Sequence, residues 1–387
     1  MQTITHTNHD NDRGDDIDDR DHLDNVDDVI GTIGSGVAER DRTGVISPAV
    51  FDTLRAAGLT RLLVPEECGG GGATFAETGR MLRRLARSDA STAVTLSMHT
   101  HLVAAQVWRY RHGIPGPQAV FDKVNAGAML ISTGASDWIG SNGVARRVDG
   151  GYRVSARKGP ASGCEVGQIL VTSIRWEDAP EGPQVLHMAI PLQADGVRVE
   201  HTWDTLGLRA TGSDTVVLDD VFIPDAAVSL IRPADRWHPV WNAVLGVAMP
   251  LIMAAYLGIA DAALDHATAA AAKSAQPHVL QLLGETINAH TIAADVVTAM
   301  FTDADDLRFD NTDEFASRVL SRKTVAADAM IRTVRLTLEL VGGSGYSRTH
   351  EIERLLRDVH GCLFHPLPRA RQIAFSASVA VGEPPVG

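Results

Sequence analysis

The stretch from Glu339 to Pro368, ELVGGSGYSRTHEIERLLRDVHGCLFHPLP, carries the strongest fold signal in the chain. A helical pattern ends in the glycine-rich run Gly342–Tyr346, and a second helical run over Glu351–Val359 has Asp358 near its end. Glycines between two helices allow a sharp turn or a close backbone approach to another group. His365 and a proline follow, so the segment combines two helices, a permissive turn and a titratable side chain.

The chain has 387 residues, enough to bury a large core and to form two or three domains. Its 44% apolar and 21% charged residues are typical of a soluble globular protein. The formal charge of −13 is concentrated near the start, because ten aspartates and two arginines lie between Asp10 and Asp28. This composition predicts an acidic disordered tail over residues 1–28. We expect no calcium loop there, since Arg13 stands where that loop requires glycine, and no metal site elsewhere.

Several functional classes are disfavoured by the sequence. No basic stripe neutralises phosphates, so we expect no nucleic-acid partner. The apolar segment Ala243–Ala260 is long enough to span a membrane, but its proline, its glycines and the lack of a basic flank favour a buried bundle helix. The N-terminus has no signal-peptide pattern. A cytoplasmic protein with reduced thiols is therefore expected, with three cysteines that lack metal-ligand spacing: Cys68, Cys164 and Cys362.

Three zones follow the tail. Residues 29–127 have helical periodicity, residues 128–228 alternate with a period of two, and residues 229–387 are helical again. In the middle zone, Asp149-Gly150-Gly151 separates two short alternating runs, which predicts a β-hairpin. Further strands are expected over 168–173, 185–190, 197–200 and 215–222. This order predicts an α+β protein with an antiparallel central sheet and no dinucleotide-binding fold, because no Gly-x-Gly-x-x-Gly motif follows a strand.

Three segments together resemble the acyl-CoA dehydrogenase superfamily of flavoenzymes: Phe51–Gly70, Trp203–Pro224 and the C-terminal stretch quoted above. The resemblance covers roughly residues 29–382, nearly everything except the tail. It implies an N-terminal α-helical domain, a central antiparallel β-domain and a C-terminal four-helix bundle. It also implies a flavin between the last two domains.

Two loops stand where the family binds the flavin ring, over residues 132–137 and 158–163. The edge of an isoalloxazine ring needs hydrogen-bond donors and acceptors, which hydroxyl side chains supply. In the second loop, Pro160 replaces the family's tryptophan. The resemblance makes four side chains candidates for binding the cofactor: Ser132, Thr133, Ser136 and Ser162.

The matches to the family's site for the adenosine half of FAD are weaker. Ser274 stands where many members have an arginine, and Glu339 replaces a glutamine just before the paired glycines Gly342 and Gly343. A carboxylate facing a pyrophosphate is repulsive unless it is paired or turned away. The resemblance places Glu339 and both glycines at the cofactor. FAD is the family expectation, while FMN, or reduced flavin delivered by a separate reductase, also fits.

The family's dehydrogenases abstract an α-proton from an acyl-CoA thioester with a glutamate, which acts as a general base. In many of them it lies eight residues after the aspartate that matches Asp358, and here that position is Pro366. In others it comes from an earlier helix, but Trp241–Ala260 contains no Glu or Asp. The superfamily also contains monooxygenases that use reduced flavin and dioxygen and need no such base. Some carry a histidine in this region, which makes His365 the candidate catalytic residue.

Three hypotheses fit these residues. The first, slightly favoured, is a reduced-flavin monooxygenase; the second is an FAD-dependent acyl-CoA dehydrogenase with an unusual base; the third is a flavin-binding scaffold without activity. His99, His101 and Arg209 are candidates for the pocket of a small-molecule substrate, an acyl-CoA under the second hypothesis. The family suggests a homodimer or homotetramer, and a flavin reductase or an electron-transfer protein as partner.

Overall fold

A computed structural model of the protein describes residues 24–134, 137–274 and 276–385. Helices form the first region, two β-sheets the second and helices the third. This order confirms the predicted α+β fold class. The main departures from the expected pattern lie at the start of the first region and in the pairing of one short strand.

The N-terminal region contains six helices within the described residues. The first helix, α1, begins at Asp24, inside the predicted disordered tail. Val26 on this helix is fully buried, and Asp27 pairs with Arg84, so the apolar contact and the ion pair fix residues that composition alone made look disordered. Residues 1–23 lie outside the described part. The six helices are α1 Asp24–Gly34, α2 Val37–Thr43, α3 Pro48–Ala56, α4 Phe75–Ser88, α5 Ala90–Arg111 and α6 Pro117–Asn125.

The central region contains two four-stranded sheets. One has the order β1-β4-β5-β8 and the other β2-β3-β7-β6, and β2 and β3 form the predicted hairpin. All strand pairs are antiparallel except β1 with β4, which is parallel and corrects the expectation of an antiparallel region throughout. The strands are β1 Leu130–Ser132, β2 Val144–Val148, β3 Gly151–Lys158, β4 Ile169–Trp176, β5 Gln184–Pro191, β6 Val197–Glu200, β7 Thr215–Pro224 and β8 Val228–Pro233.

The C-terminal region is built around one long helix. Helix α7 is long and apolar enough to cross a membrane, yet 94% of its most apolar window is buried inside the protein, where it packs against α4, α5 and α9. Gly258 permits this packing, because a Cβ there would lie 2.2 Å from the Arg83 carbonyl oxygen of α4. Where the resemblance implied a four-helix bundle, the described residues form three long and two short helices: α7 Val240–Ala271, α8 Pro277–Ala304, α9 Asp313–Val341, α10 Glu351–Val359 and α11 Arg369–Ala380.

The three regions meet at the loop before β7. A Cβ on Gly207 would lie 2.4 Å from the carbonyl oxygen of Arg357 in α10, so only glycine allows this approach. The next amide, Leu208 N–H, donates to Asp358 Oδ1 at 2.6 Å. The Arg357 guanidinium also pairs with Asp41 in α2 at 2.6 Å. These contacts fix the β-sheets against both helical regions.

Candidate active site

The loop that follows β1 is held by a buried ion pair. Lys158, at the end of β3, donates from Nζ to Asp137 Oδ1 at 2.9 Å, and the two side chains are only 1% and 5% exposed. Lys158 also donates to Ser141 Oγ and to the Asn142 carbonyl oxygen, at 3.3 and 3.0 Å. Thr133 Oγ1 donates to the other oxygen of Asp137 at 2.9 Å. The pair therefore ties the two predicted flavin loops together.

A chain of hydroxyl groups joins the second loop to the rest of the site. Ser162 Oγ lies 2.7 Å from Ser213 Oγ, which lies 2.6 Å from Thr211 Oγ1. Thr95 Oγ1 of α5 donates to the Thr211 carbonyl oxygen at 3.2 Å. The loop after β3, the loop before β7 and α5 therefore converge on Ser162.

The hydroxyl groups of Ser132, Thr133 and Ser162 fit a flavin ring, whose edges carry neutral carbonyl and N–H groups. The two loops adjoin, because a Cβ on Gly163 would lie 3.5 Å from Ile131 Cδ1 of β1. Ser136, the fourth candidate, lies outside the described residues.

The residues expected near the adenosine half of FAD lie at the end of α9. Glu339 is exposed, and within the described chain no atom comes within 4 Å of a Cβ built on Gly342 or Gly343. Gly342 has a φ of 76°, a conformation that glycine adopts readily. This corner is thus open to a ligand, and the cofactor role of the three residues stays a prediction.

His365 contacts a tyrosine from the central helix. Its Nε2 lies 2.9 Å from Tyr256 Oη of α7, and the two rings meet edge to face with centroids 5.4 Å apart. Burial, followed by the charges of Lys323 and His101, lowers the pKa of His365 to about 3. Burial raises the pKa of Tyr256 well above its usual value. Both side chains are therefore neutral at pH 7.

Lys323 of α9 supports the loop that carries His365. Its buried Nζ donates to the carbonyl oxygens of Leu363 and Leu367, at 3.4 and 3.3 Å, on either side of the histidine. Burial lowers the pKa of Lys323 to about 8, so its ammonium group remains largely protonated at pH 7. The lysine thus supplies both loop contacts and a positive charge behind His365.

The two candidate histidines of α5 differ in what they can bind. His101 Nδ1 lies 3.2 Å from the Ser97 carbonyl oxygen, to which it donates, and burial lowers the pKa of His101 to about 4. Its Nε2 therefore carries a lone pair. His99 instead bridges the Thr60 carbonyl oxygen at 2.8 Å and the Leu130 amide at 2.9 Å. Both ring nitrogens of His99 are thus occupied by main chain, and its role in the substrate pocket stays a prediction.

Arg209, the third candidate for the substrate pocket, contacts other loops of the protein, and its pocket role stays a prediction. Its Nε donates to the Asp41 carbonyl oxygen at 3.0 Å, and its Nη1 reaches Asp204 Oδ1 at 3.1 Å and the Thr205 carbonyl oxygen at 3.0 Å. Through these contacts, the guanidinium of Arg209 holds the loop before β7 against the N-terminal region. A lone arginine in a sequence motif does not reveal such partners.

A buried carboxyl group lies near the Tyr256–His365 pair. Burial raises the pKa of Asp358 to about 6, and its Oδ1 accepts the Leu208 amide hydrogen bond described above. That bond directs the group toward the loop before β7. Neither family source of a catalytic base supplies a carboxylate, because Pro366 occupies one position and the helix residues 241–260 contain no Glu or Asp.

One group of side chains in the described chain has the ligand atoms of a metal site. Glu165, His201 and Asp214 bring such atoms within 4.8 Å of one another. The His201 side chain is 76% exposed, and Glu165 is exposed as well. This group lies on the surface of the β-sheet region and shares no residue with the Tyr256–His365 pair.

Tyr256 and Lys323 were not predicted from the sequence. The sequence contains a feature that could have identified Tyr256: it is the lone hydroxyl side chain in an otherwise apolar run, AVLGVAMPLIMAAYLGIA. A feature of the sequence could also have identified Lys323, because this charged residue lies on the face of α9 that carries the buried residues Val319, Leu320 and Ala327. A polar side chain on a buried face needs a hydrogen-bond partner, and the partners of both Tyr256 and Lys323 belong to the loop that carries His365.

Comparison with known proteins identifies two family domains in the chain. Residues 24–112 match the acyl-CoA dehydrogenase N-terminal domain, and residues 239–362 match the acyl-CoA dehydrogenase C-terminal domain. A curated relative, the amino sugar nitrososynthase DnmZ of Streptomyces peucetius, is 28% identical over 362 residues, which is 89% of each chain.

Two solved structures have the same architecture. The nitrososynthase from Micromonospora carbonacea var. africana superposes with a TM-score of 0.85 at 26% identity, covering 94% of this chain and 96% of that one. KijD3, in complex with FMN and dTDP-3-amino-2,3,6-trideoxy-4-keto-3-methyl-D-glucose, superposes with a TM-score of 0.82 at 29% identity, covering 93% of each chain.

Proposed function

Because the chain belongs to the acyl-CoA dehydrogenase superfamily and is a flavin-dependent oxidoreductase, we propose that it is a monooxygenase that uses reduced flavin and dioxygen. One observation carries this choice: a neutral, hydrogen-bonded histidine, His365, stands beside the position of the family's carboxylate base.

The pKa of His365 argues against proton abstraction. A general base works best when its pKa lies near the working pH. A pKa of about 3 at pH 7 makes protonation of the imidazole unfavourable by roughly 5 kcal/mol. A neutral imidazole still offers one N–H donor and one lone pair. His365 is therefore suited to orient an oxygen species or to hydrogen-bond with it.

The reaction balances with a reduced flavin as the source of two electrons and two protons. An amine R–NH2, dioxygen and reduced flavin give R–NH–OH, water and oxidised flavin. A second round converts R–NH–OH, dioxygen and reduced flavin into R–N=O, oxidised flavin and two waters. When bound, the flavin supplies the reducing power, while His365 and His101 present hydrogen-bonding groups and the surrounding helices exclude water.

An amine carried by a nucleotide-linked sugar is the substrate class that we propose. The names of the similar proteins support it, since two are nitrososynthases and a third, KijD3, was solved in complex with a dTDP-amino sugar. The charges of the site support it as well. An oxidisable amine must be uncharged, and a nearby cation such as Lys323 favours the uncharged form, whereas a carboxylate base would favour the ammonium form.

FMN is the flavin that we propose. Ser274 supplies no positive charge for a pyrophosphate, and Glu339 places a carboxylate at the same end of the bundle. A separate flavin reductase is then the natural partner. A cytoplasmic location stays a proposal, for which the free, buried Cys68, Cys164 and Cys362 are the support.

A homodimer or homotetramer is also proposed. Phe364, Ile373 and Val381 expose 77%, 56% and 75% of their surface near the end of the chain. Contiguous exposed apolar side chains are typical of an interaction surface, and the family suggests that subunits meet through the C-terminal helices. Light scattering after size exclusion gives the mass directly, and a monomer at micromolar concentration would contradict the proposal.

The decisive experiment supplies chemically reduced FMN and a dTDP-amino sugar to the purified protein in air. We expect oxygen consumption and a hydroxylamine one oxygen atom heavier than the substrate, followed by a nitroso product with two hydrogens fewer than that hydroxylamine. Anaerobic addition of an acyl-CoA to the flavin-loaded protein tests the dehydrogenase alternative, since bleaching of the flavin would favour that activity. Neither response from a folded, flavin-loaded protein would favour a scaffold.

His365→Ala tests the residue that carries the proposal. Because a positioned acid–base group contributes about 10²–10⁴-fold, we expect product formation to fall by at least a hundredfold while FMN affinity changes little. The melting temperature should fall, because the buried Tyr256 hydroxyl loses its acceptor. The exposed His278 at the start of α8 provides the matched control, His278→Ala, which should behave like wild type. Unaltered turnover in His365→Ala would remove His365 from the mechanism.

A further inference from the structure

We propose that Tyr256 is a positioning residue, which fixes His365 as the tautomer with its hydrogen on Nδ1. This inference rests on the proposed function for its catalytic meaning, since the Nδ1–H group is the donor that His365 offers to the reacting oxygen. The assignment of the hydrogen itself depends only on the contacts of the two side chains.

The tyrosine hydroxyl has one acceptor. Tyr256 is fully buried, and among the described residues its Oη makes a single hydrogen bond, to His365 Nε2 at 2.9 Å. Its high pKa keeps the hydroxyl protonated. A buried O–H group that does not donate loses the full free energy of its hydration. Tyr256 therefore donates, and His365 Nε2 carries the lone pair.

The position of the remaining hydrogen follows. A neutral imidazole has one N–H group, so an accepting Nε2 requires Nδ1–H. His365 Nδ1 makes no hydrogen bond to any described residue, so its hydrogen is available to a ligand. In the opposite tautomer, Nε2–H would donate to Tyr256 Oη, and the buried tyrosine O–H would have no acceptor among the described residues.

The surrounding residues hold this pair in place. A Cβ on Gly361 would lie 2.5 Å from Tyr256 Oη and 2.7 Å from Leu208 Cδ1, so an unsubstituted backbone is needed beside the hydroxyl. Lys323 fixes the loop on both sides of His365 through two carbonyl oxygens.

The resulting donor complements a second imidazole. His101 uses Nδ1–H for the Ser97 carbonyl oxygen, which leaves a lone pair on Nε2. A charge on His101 is one of the smaller causes that lower the pKa of His365, after burial and the charge of Lys323, which places the two rings in the same part of the protein. One donor on His365 and one acceptor on His101 suit an O–H group that accepts from the first and donates to the second.

Nitrogen-15 NMR of histidine-labelled protein tests the assignment without substrate or flavin. The His365 signals are those missing in His365→Ala, and we expect wild type to show a protonated Nδ1 and an unprotonated Nε2 near pH 7. In Tyr256→Phe, which keeps the ring and removes the donor, we expect a mixture of tautomers. A protonated Nε2 in wild type, or an unchanged tautomer in Tyr256→Phe, would overturn the inference even if the enzyme is active.

Kinetics then tests the consequence. We expect Tyr256→Phe to lower kcat for the oxygenated product about three- to tenfold, to leave KM unchanged and to raise the hydrogen peroxide released per reduced flavin. Gly361→Ala, which displaces the hydroxyl, should give the same signature. Tyr152→Phe, a buried tyrosine of β3 outside the site, is the matched control. Wild-type coupling in Tyr256→Phe would refute the positioning role. Failure of wild type to oxygenate any amine would instead count against the proposed function.

Discussion

The buried Lys158–Asp137 pair makes the sharpest stability prediction. Lys158→Met keeps an unbranched side chain of similar length and removes the ammonium group that Asp137 faces at 2.9 Å. With an effective dielectric constant of about 20, the lost attraction is roughly 6 kcal/mol, and part of it is recovered by relief of the desolvation of Lys158. We therefore expect a loss of about 3–5 kcal/mol in the free energy of unfolding.

A double-mutant cycle separates the pair from other effects of the substitutions. Asp137→Asn should cost a similar amount, but the combined variant should lose much less than the sum, with a coupling of at least about 2 kcal/mol. The matched control is the exposed pair Arg146–Asp220, at 2.8 Å with 65% and 53% exposure, whose coupling should stay below about 1 kcal/mol.

Guanidinium denaturation, analysed at constant m-value, gives the free energy of unfolding of each variant in the cycle. Fluorescence titration with FMN gives the affinity of each variant for the flavin. Because the pair shapes the loop that begins at Ser132, each single variant should also bind FMN more weakly. Additive losses in the Lys158/Asp137 cycle, equal to those of the exposed pair, would refute the idea that this contact organises the flavin loops.

Two further predictions concern stability. Burial lowers the pKa of His99 to about 4, so the stability that its neutral form supports is complete above pH 6.5. As pH falls from 6.5 toward 4, we expect the free energy of unfolding to fall by roughly 3 kcal/mol. Melting temperatures across this window should fall more steeply for wild type than for His99→Gln, and equal slopes would contradict the assignment. Gly207→Ala should cost about 1–3 kcal/mol in denaturant titrations because its Cβ meets the Arg357 backbone, whereas Gly284→Ala on α8, which meets nothing within 4 Å, should be neutral or stabilising.

Local patterns predicted much of the fold, while pairings between distant segments were missed. The hairpin of β2 and β3 was readable because Asp149-Gly150-Gly151 separates two alternating runs. Strands β1 and β8 were not expected, because β1 has only three residues and β8 lies almost wholly in the zone over 229–387 that was assigned to helices. The parallel pairing of β1 with β4 joins residues about 40 positions apart, as in Leu130 with Ile169, and short-range sequence periodicity contains no information on such a register.

The site was predictable only in part for a similar reason. His365 stood out because a family position held an unexpected residue, but the partners of a buried polar group lie far away in sequence, as Tyr256 does. His99 and His101 looked equivalent as neighbours in a short motif. On a helix, residues two positions apart point to different sides, so one imidazole bridges main-chain groups and the other keeps a free nitrogen.

The sign of the charge near His365 decides whether this histidine can act as a general base or as a hydrogen-bond donor. A carboxylate there would stabilise the imidazolium form and raise the pKa of His365 toward that of a working base. Burial is the main cause of the lowered pKa of His365, and the nearby ammonium group of Lys323 lowers that pKa further and strengthens the N–H group as a donor. Pro366 adds no charge at the family's glutamate position. A site that has replaced a negative group with a proline, and has a lysine behind a neutral imidazole, is electrostatically opposed to removing a proton and suited to holding a polarised oxygen.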